Sequence, residues 1–186
     1  LELGCGTAAI GLFLLEATLP YVYTGIELSK PLFDNLEPKI KDRVIHADKI
    51  EAALAKVPDQ SQDAIIVNHV LEHLSDPTVT LGLLRGKLKP NGLLFLEVPN
   101  EQWKKALIKI RNQLKRDGNE WFPGHINFFT LKSLRRFLTN ENWEILDSRK
   151  LTAGNYPQMV KKMLGGESAF QANRLAQITL QFLRAT

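Results

Sequence analysis

The stretch LELGCGTAAIG, residues 1–11, decides the fold. Gly4, Gly6 and Ala9 fit the spacing G-x-G-x-x-A, which joins a strand to a helix around a nucleotide-like ligand. The residues before this turn predict the end of a strand, and the apolar residues after it predict a helix. Because a buried strand usually runs about 5 residues or more, the short LEL also predicts a native chain that extends beyond Leu1.

Outward from the turn, segments rich in β-branched and apolar residues alternate with helix-forming segments. Further strands are predicted at residues 21–28, 43–48, 63–68, 93–100 and 143–151. This alternation predicts an α/β fold with a doubly wound, mostly parallel Rossmann-like sheet and helices on both faces. Asp76 as an N-cap and Pro77 as the first helical residue predict where the helix before the fifth strand begins.

The sheet is expected to form one domain over residues 1–152, followed by a C-terminal helical extension over residues 153–186. Within the extension, Ser168 and Gln171 fit a capping box. They predict a final helix over residues 168–183.

Composition and charge exclude several classes of protein. The chain has 186 residues, of which 44% are hydrophobic and 24% charged, as in an ordinary globular domain. No run of about 18 apolar residues occurs, so no transmembrane segment is expected. Cys5 is the single cysteine, which rules out an internal disulfide and fits a reducing, cytoplasmic location. The net charge of +4 is too small to indicate a nucleic-acid partner.

Two carboxylates accompany the glycine turn. Glu27 ends the second predicted strand, about 20 residues after the turn, where an acid can accept hydrogen bonds from ribose hydroxyls. Glu2 lies beside the position where a dinucleotide would place its doubly anionic pyrophosphate. A ligand with an ammonium and a sulfonium would be attracted to Glu2 instead. The electrostatics therefore favour S-adenosylmethionine over NAD. The strand before the turn, together with Glu27, also disfavours a tight turn that binds no ligand.

Five segments resemble, in order, the successive motifs of class I S-adenosylmethionine-dependent methyltransferases. They are ELGCGTA, GIELS, HAD, VNHVLEHLSDP and LKPNGLLFLEVPN. The later GHINFFTLKSLRRFL resembles the type 11, 12 and 23 branch, which includes many small-molecule O-methyltransferases. The resemblance covers roughly residues 1–150.

The resemblance implies a cofactor-binding role for residues that follow the first four strands. The methionyl end of the cofactor would contact Glu2, Gly4, Cys5, Gly6 and Thr7. Glu27 would hold the ribose and Leu28 would pack beside the adenine. Asp48, with Lys49 or Ile50, would face the adenine amine, and Asn68 with His69 would border the donor methyl.

Two features depart from the family pattern. Ala8 stands where the family often has a third glycine. The family also has a final antiparallel strand, expected either beyond Thr186 or replaced by residues 152–167.

The chemistry implied by the resemblance needs no obligatory catalytic residue. The sulfonium donor is already activated, so the protein mainly aligns the acceptor and excludes water. A general base is needed only when the acceptor is neutral. His125 follows Gly124 in an aromatic loop and could deprotonate a hydroxyl. Alternatively, His125 is hydrogen-bonded within a lid, and the aromatic residues Trp121, Phe122, Phe128 and Phe129 belong to the core rather than to an acceptor pocket.

The other histidines have simpler interpretations. His46 lies within a strand and is expected to be structural. If the segment that contains them is helical, His69 and His73, with Glu72 between them, would share one face and could bind metal. Alternatively, Glu72 and His73 cap or support the loop after the fourth strand. The related quinone O-methyltransferases bind a divalent cation through acidic and histidine residues at similar positions. Because His69 replaces an acid and a fourth ligand is not evident, no metal is expected.

Residues 101–117 form a predicted basic amphipathic helix. Such a helix can contact a membrane surface or nucleic acid, or cover an acidic substrate, and is most often a solvated face. With no RNA-binding module in the chain, no nucleic-acid partner is expected. The sequence thus predicts an S-adenosylmethionine-dependent methyltransferase acting on a small molecule, at oxygen. An NAD-dependent oxidoreductase and a non-catalytic binding protein of the same fold remain the alternatives, and the oligomeric state is not predicted.

Overall fold

The computed structural model describes residues 1–17, 21–100, 124–151 and 178–185, with only the backbone for residues 151 and 178–185. Its centre is a seven-stranded sheet in the order β3-β2-β1-β4-β5-β7-β6. The strands are β1 Glu2–Leu3, β2 Gly25–Glu27, β3 Val44–His46, β4 Gln62–Asn68, β5 Leu88–Pro99, β6 Trp143–Leu151 and β7 Ile178–Ala185.

Helices connect these strands. They are α1 Ala9–Glu16, α2 Lys30–Asp34, α3 Pro38–Lys41, α4 Ile50–Leu54, α5 Pro77–Lys87 and α6 Leu131–Asn140. A single 3₁₀ turn, Leu71–His73, follows β4. The predicted start of α5 is confirmed, since the Asp76 side chain accepts from the Val79 N–H at 3.1 Å and Pro77 occupies the first turn. Thr130 and Ser133 form a reciprocal capping box at the start of α6.

The first five strands are parallel, which confirms the predicted doubly wound sheet. β1 lies between β2 and β4, with Glu2 paired to Gly25 on one side and Ile66 on the other. The chain thus turns from one direction of strand addition to the other at β1. Ligands of such sheets bind in the crevice at this switch point, beyond the carboxyl ends of the strands.

The predicted final helix is wrong at its C-terminal part. Residues Ile178–Ala185 form β7, which pairs antiparallel with both β5 and β6. They are the final antiparallel strand of the family pattern, which was expected either beyond Thr186 or replaced by residues 152–167. The segment does not follow its local helical pattern, because β5 and β6 each offer a hydrogen-bonding edge to it. Tertiary pairing overrides a local helical period here. Residues 152–177, with the predicted cap at Ser168, lie outside the described residues.

The sheet is buried by apolar side chains on both faces. On one face Ile65, Val67, Leu94 and Leu96 belong to a cluster with Leu81 and Leu84 of α5 and Leu134 and Leu138 of α6. On the other face a second cluster includes Cys5, Ala8, Tyr23 and Ile40, and half-buried side chains of α1 pack against it. Within the described ranges, no helix is long and apolar enough to span a bilayer. The basic segment 101–117 lies outside those ranges.

Candidate functional site

The glycine turn is anchored to β2 and open on its outer side. Gly4 and Cys5 donate their N–H groups to the Ile26 carbonyl, at 2.8 and 3.0 Å. Gly4 has φ of 69°, and a Cβ there would lie 2.4 Å from Val70 Cγ2. Gly6 has φ of 56°, and a Cβ there would meet nothing within 4 Å. Gly4 is therefore required by packing, whereas Gly6 leaves space in which a ligand can approach the backbone.

Glu27 closes the turn from the end of β2. Its carboxylate is buried and accepts hydrogen bonds from the Gly6 N–H and the Ser29 N–H, both at 2.7 Å. Each carboxylate oxygen can accept a further donor, so these bonds leave capacity for ribose hydroxyls. The ribose contact implied by the resemblance is compatible with this geometry.

Glu2 is buried behind the same turn. Its Oε2 accepts from the Tyr23 hydroxyl at 2.5 Å. Burial raises the pKa of Glu2, the Tyr23 hydrogen bond opposes this shift and the nearby Glu27 charge adds to it, and the resulting pKa is about 7. A buried carboxylate of this kind is stabilised in its ionised form by a cationic ligand. Burial also raises the pKa of Cys5 to about 12, so Cys5 is a packing residue and not a nucleophile.

The remaining residues predicted around the cofactor lie along the same edge of the sheet. Thr7 is exposed on the turn and Leu28 is half-buried after β2. Asp48 and Lys49 are exposed directly after β3. Ala8 is fully buried with φ of 55°, in the left-handed region where glycine is unstrained. This conformation explains why a third glycine is common at the position that Ala8 occupies.

His69 links two buried acids at the end of β4. Its Nδ1 lies 3.2 Å from Glu72 Oε1, and its Nε2 lies 3.2 Å from Glu97 Oε1. Both carboxylates are only 1% exposed. Glu72, which is hydrogen-bonded to His69, and then the facing carboxylate of Glu97 raise the pKa of His69 to about 9. His69 is therefore an imidazolium at neutral pH that compensates two buried charges, with both ring nitrogens occupied.

The sequence analysis missed Glu97 and Tyr23. Glu97 lies within the apolar run LLFLEVP, and a carboxylate in such a run must find a partner when the strand is buried. The sequence therefore indicates that Glu97 needs a partner. Spacing along the chain does not indicate that this partner is His69. Tyr23 lies in the loop before β2, and nothing local to its sequence indicates that its hydroxyl reaches Glu2.

The loop that carries His125 is docked on the 3₁₀ turn after β4. The N–H groups of Ile126 and Asn127 donate to the Glu72 carbonyl at 2.9 and 3.0 Å. The Asn127 side-chain amide donates to the carbonyls of Leu71 and Leu74 at 3.2 and 2.6 Å. A β-bridge joins Phe129 to Asn100, at the carboxyl end of β5. The loop thus lies over the edge where ligands of this fold bind.

His125 lies beside His73 in this loop. Their rings meet edge to face with centroids 4.7 Å apart, and His73 Nδ1 is 2.9 Å from the Gly124 carbonyl oxygen. One ligating atom each from Glu72, His73 and His125 lies within 4.8 Å of the others. The predicted sharing of a helical face by His69 and His73 does not occur, because the 3₁₀ turn begins at Leu71 and His69 has φ of 53°. No fourth ligand joins Glu72, His73 and His125 within the described residues. That the protein binds no metal stays a prediction.

The other aromatic and histidine predictions have mixed outcomes. Phe129 packs against the main core cluster and lies 6.2 Å from the Phe137 ring, so it is a core residue and not a free pocket wall. His46 stacks on Phe33 at 5.0 Å and its Nδ1 lies 2.9 Å from the Glu27 carbonyl oxygen, in agreement with a structural role. Trp121 and Phe122 lie outside the described residues.

Comparison with known proteins identifies the family. A family described as a methyltransferase domain, type 23, matches residues 1–148. The chain belongs to this methyltransferase-domain family. This membership, with the glycine turn and its two acids, makes it an S-adenosylmethionine-dependent methyltransferase domain, and S-adenosylmethionine is its cofactor. The choice between the two cofactors left open by the sequence is decided against NAD.

Relatives of the methyltransferase domain differ in what they do. A malonyl-[acyl-carrier protein] O-methyltransferase of Halalkalibacterium halodurans is 31% identical over 99 residues, which are 51% of this chain and 36% of that protein. A methyltransferase from Archaeoglobus fulgidus described as SAM-dependent has a TM-score of 0.62 at 16% identity, over 98% of this chain and 83% of that one. The [4+2]-cyclase SpnF has a TM-score of 0.65 at 17% identity, over 99% and 74% of the two chains. The chain thus spans about a third of the H. halodurans relative, and the solved structures share its fold alone.

The methyltransferase domain has the features that its cofactor requires. The open space beside Gly6 admits a ligand to the backbone. Glu2 is a buried acid that a cation would stabilise. Asn68 Oδ1 is buried at the end of β4 without a hydrogen-bond partner in the described part of the chain. These residues fit a ligand that has cationic groups at one end and hydroxyl donors at the other.

Proposed function

We propose that the whole protein transfers the methyl group of S-adenosylmethionine to an oxygen of a small-molecule acceptor. The observation that carries the proposal is the pair of buried acids, Glu2 and Glu27, on either side of an open glycine turn. Their charges suit a donor with a cationic methionyl end. The docked loop with His125 supports an acceptor site beside the donor.

The proposed cofactor contacts extend over the carboxyl ends of four strands, β1 to β4. Glu2 holds the ammonium, while Gly4, Cys5, Gly6 and Thr7 line the methionyl portion. Glu27 accepts from the ribose hydroxyls. Leu28, Asp48 and Lys49 surround the adenine, and Asn68 with His69 borders the methyl that is transferred.

His125 is proposed as the general base for a neutral hydroxyl acceptor. The bonds from Ile126 and Asn127 to Glu72 fix its loop over the carboxyl edge of the sheet. His69 is a poorer candidate, because both of its ring nitrogens are occupied by acids. A base within hydrogen-bond reach of the acceptor would contribute roughly 10²–10⁴-fold to the rate.

Methyl transfer to a panel of hydroxylated small molecules, followed by mass spectrometry of the products, tests this function. The His125→Ala variant is expected to lose about 10²-fold or more in kcat, with S-adenosylhomocysteine affinity unchanged. The Asn35→Ala variant, which removes an exposed side chain outside the acceptor loop, serves as the control. Unchanged turnover in His125→Ala would remove the proposed base, and products methylated only at carbon or nitrogen would contradict O-methylation.

An anionic acceptor is a second candidate substrate class. A cavity of about 440 Å³ is lined by Leu131, Lys132, Arg135 and Lys150. Leu151 of β6 and Pro99 of β5 both pair with Ile178 of β7. Lys150, which precedes Leu151, therefore lies at the same end of the sheet as Pro99. Three cations at this edge favour an acceptor that carries a carboxylate or a phosphate, as a carrier-bound acid would. Arg135→Glu is expected to raise KM for such acceptors and to leave KM for neutral acceptors unchanged.

The proposed location is the cytoplasm. Cys5 is free and buried, as expected for a protein of a reducing compartment. Fractionation of cells that express the full-length protein tests this location.

A further inference from the structure

We infer that Tyr23 is a positioning residue for the cofactor: its hydroxyl holds the Glu2 carboxylate in place to receive the cofactor's ammonium group. The inference rests on S-adenosylmethionine being the cofactor of this domain. It concerns a residue that acts through Glu2 and does not touch the reacting methyl.

The contact between Tyr23 and Glu2 is short, buried and specific. The hydroxyl donates to Glu2 Oε2 at 2.5 Å, and the two residues are 6% and 5% exposed. A tyrosine hydroxyl has a single proton to donate, so Tyr23 engages one carboxylate oxygen. No other donor from the described residues bonds to this carboxylate, which leaves Oε1 for a ligand.

The tyrosine ring lies in a slot made by two glycines. A Cβ at Gly11 of α1 would lie 2.5 Å from the ring carbon Cε1 of Tyr23. A Cβ at Gly25 of β2 would lie 3.0 Å from the hydroxyl and 2.8 Å from Cys5 Sγ. The helix after the turn and the strand beside it therefore both lack side chains where the ring passes. This packing fixes the position of the hydroxyl, and with it the rotamer of Glu2.

A purely space-filling role would not need the hydroxyl. A phenylalanine would fill the same slot, whereas a buried hydroxyl costs free energy unless it is bonded. The bond also favours the ionised form of Glu2, which burial disfavours. Tyr23 thus fixes the orientation of Glu2 and favours its ionised form, and recognition of an ammonium requires both. Tyr21, two residues earlier, is 62% exposed and provides a matched control.

Calorimetric binding of two nucleosides isolates the ammonium contact. S-adenosylhomocysteine carries the amino-acid portion, whereas 5′-methylthioadenosine lacks it, and both have a neutral sulfur. Tyr23→Phe is expected to weaken S-adenosylhomocysteine binding about tenfold, because an indirect hydrogen bond to a charged group is lost. Binding of 5′-methylthioadenosine should be unchanged, and Tyr21→Phe should change neither affinity.

A double-mutant cycle tests whether Tyr23 acts through Glu2. In a Glu2→Gln background, Tyr23→Phe is expected to have no further effect on S-adenosylhomocysteine binding. An equal loss for both nucleosides would show that Tyr23 is only structural, and would overturn the inference. So would an undiminished affinity of Tyr23→Phe for S-adenosylhomocysteine. Failure of the unmodified protein to bind either nucleoside would instead overturn the cofactor assignment, and the inference with it.

A measurement on the unmodified protein avoids dependence on folding of the variant. The Tyr23 hydroxyl proton is buried and bonded, so it should exchange slowly and give a resolved resonance. This resonance is expected to shift when S-adenosylhomocysteine binds, and to stay in place with 5′-methylthioadenosine. A shift of the same size with both nucleosides, or with neither, would contradict the role assigned to Tyr23.

Discussion

At the residue scale, two helical glycines have opposite requirements. A Cβ at Gly11 in α1 would meet the Tyr23 ring at 2.5 Å, whereas a Cβ at Gly82 in α5 would meet nothing within 4 Å. Gly11→Ala is therefore expected to lower the free energy of unfolding by about 1–3 kcal/mol through overpacking. Gly82→Ala should raise it by about 0.5–1 kcal/mol, because alanine is the better helix former. Urea unfolding of both variants measures these changes, and destabilisation by Gly82→Ala would contradict the open space at that position.

The charge of Glu2 predicts a pH dependence of cofactor binding. Its pKa in the folded chain is about 7, raised by burial from an ordinary value of 4.5. The titratable groups near it are Tyr23, Cys5 and Glu27. Below pH 7 the Glu2 carboxyl is mostly protonated in the folded protein. An ammonium ligand must then displace that proton in order to bind. Affinity for a cationic ligand should therefore rise with pH through this range and level off above it.

Calorimetry at pH 6 and pH 8 tests this dependence. S-adenosylhomocysteine is expected to bind about tenfold more tightly at pH 8, since binding below the pKa of Glu2 displaces one proton and the affinity then changes about tenfold per pH unit. The affinity for 5′-methylthioadenosine, which has no ammonium, should stay constant. A flat profile for both nucleosides would show that Glu2 is already ionised at pH 6.

At the element scale, the loop before α6 depends on one amide side chain. Asn127 donates to the carbonyls of both Leu71 and Leu74 and ties the His125 loop to the 3₁₀ turn after β4. Asn127→Ala would leave two carbonyls without these donors and release the loop. We expect at least a tenfold loss of methyl transfer, because misplaced acceptor groups are costly, with little change in S-adenosylhomocysteine affinity. Asn35→Ala, which removes an exposed amide bonded to a helix carbonyl, is the control.

Elements with strong local signals could be predicted from the sequence. The glycine turn, the cap at Asp76 and the two acids at strand ends obey rules that involve only neighbouring residues. The partners of Glu2 and Glu97 could not be predicted, because Tyr23 and His69 reach them through tertiary packing. For the same reason, spacing did not show that His69 and His73 lie on different parts of the chain path and share no helical face. Spacing along the chain does not indicate that His69 adopts a left-handed backbone conformation, or that its side chain lies between two acids.

At the scale of the whole molecule, the sheet combines two kinds of chain path. The parallel strands β1 to β5 bring their carboxyl ends to one edge, where Glu2, Glu27 and Asn68 lie together. β7 then enters from the opposite direction and separates β5 from β6. The last described strand in the sequence is thus an interior strand of the sheet, next to the edge strand β6. Local patterns favoured a helix there because they carry no information on which edges remain unpaired.

β7 is hydrogen-bonded on both sides, so the stability of the fold is expected to depend strongly on the backbone hydrogen bonds of this strand. Leu180 pairs with Glu97 of β5 on one side and Arg149 of β6 on the other. A proline at this position removes an N–H from one ladder and cannot be accommodated in a central strand. Leu180→Pro is expected to abolish the cooperative unfolding transition seen by near-ultraviolet circular dichroism, whereas Leu180→Ala keeps the ladder and should retain that transition. If β7 were dispensable, Leu180→Pro would unfold like Leu180→Ala, and β5 and β6 would have to satisfy their hydrogen bonds in another way.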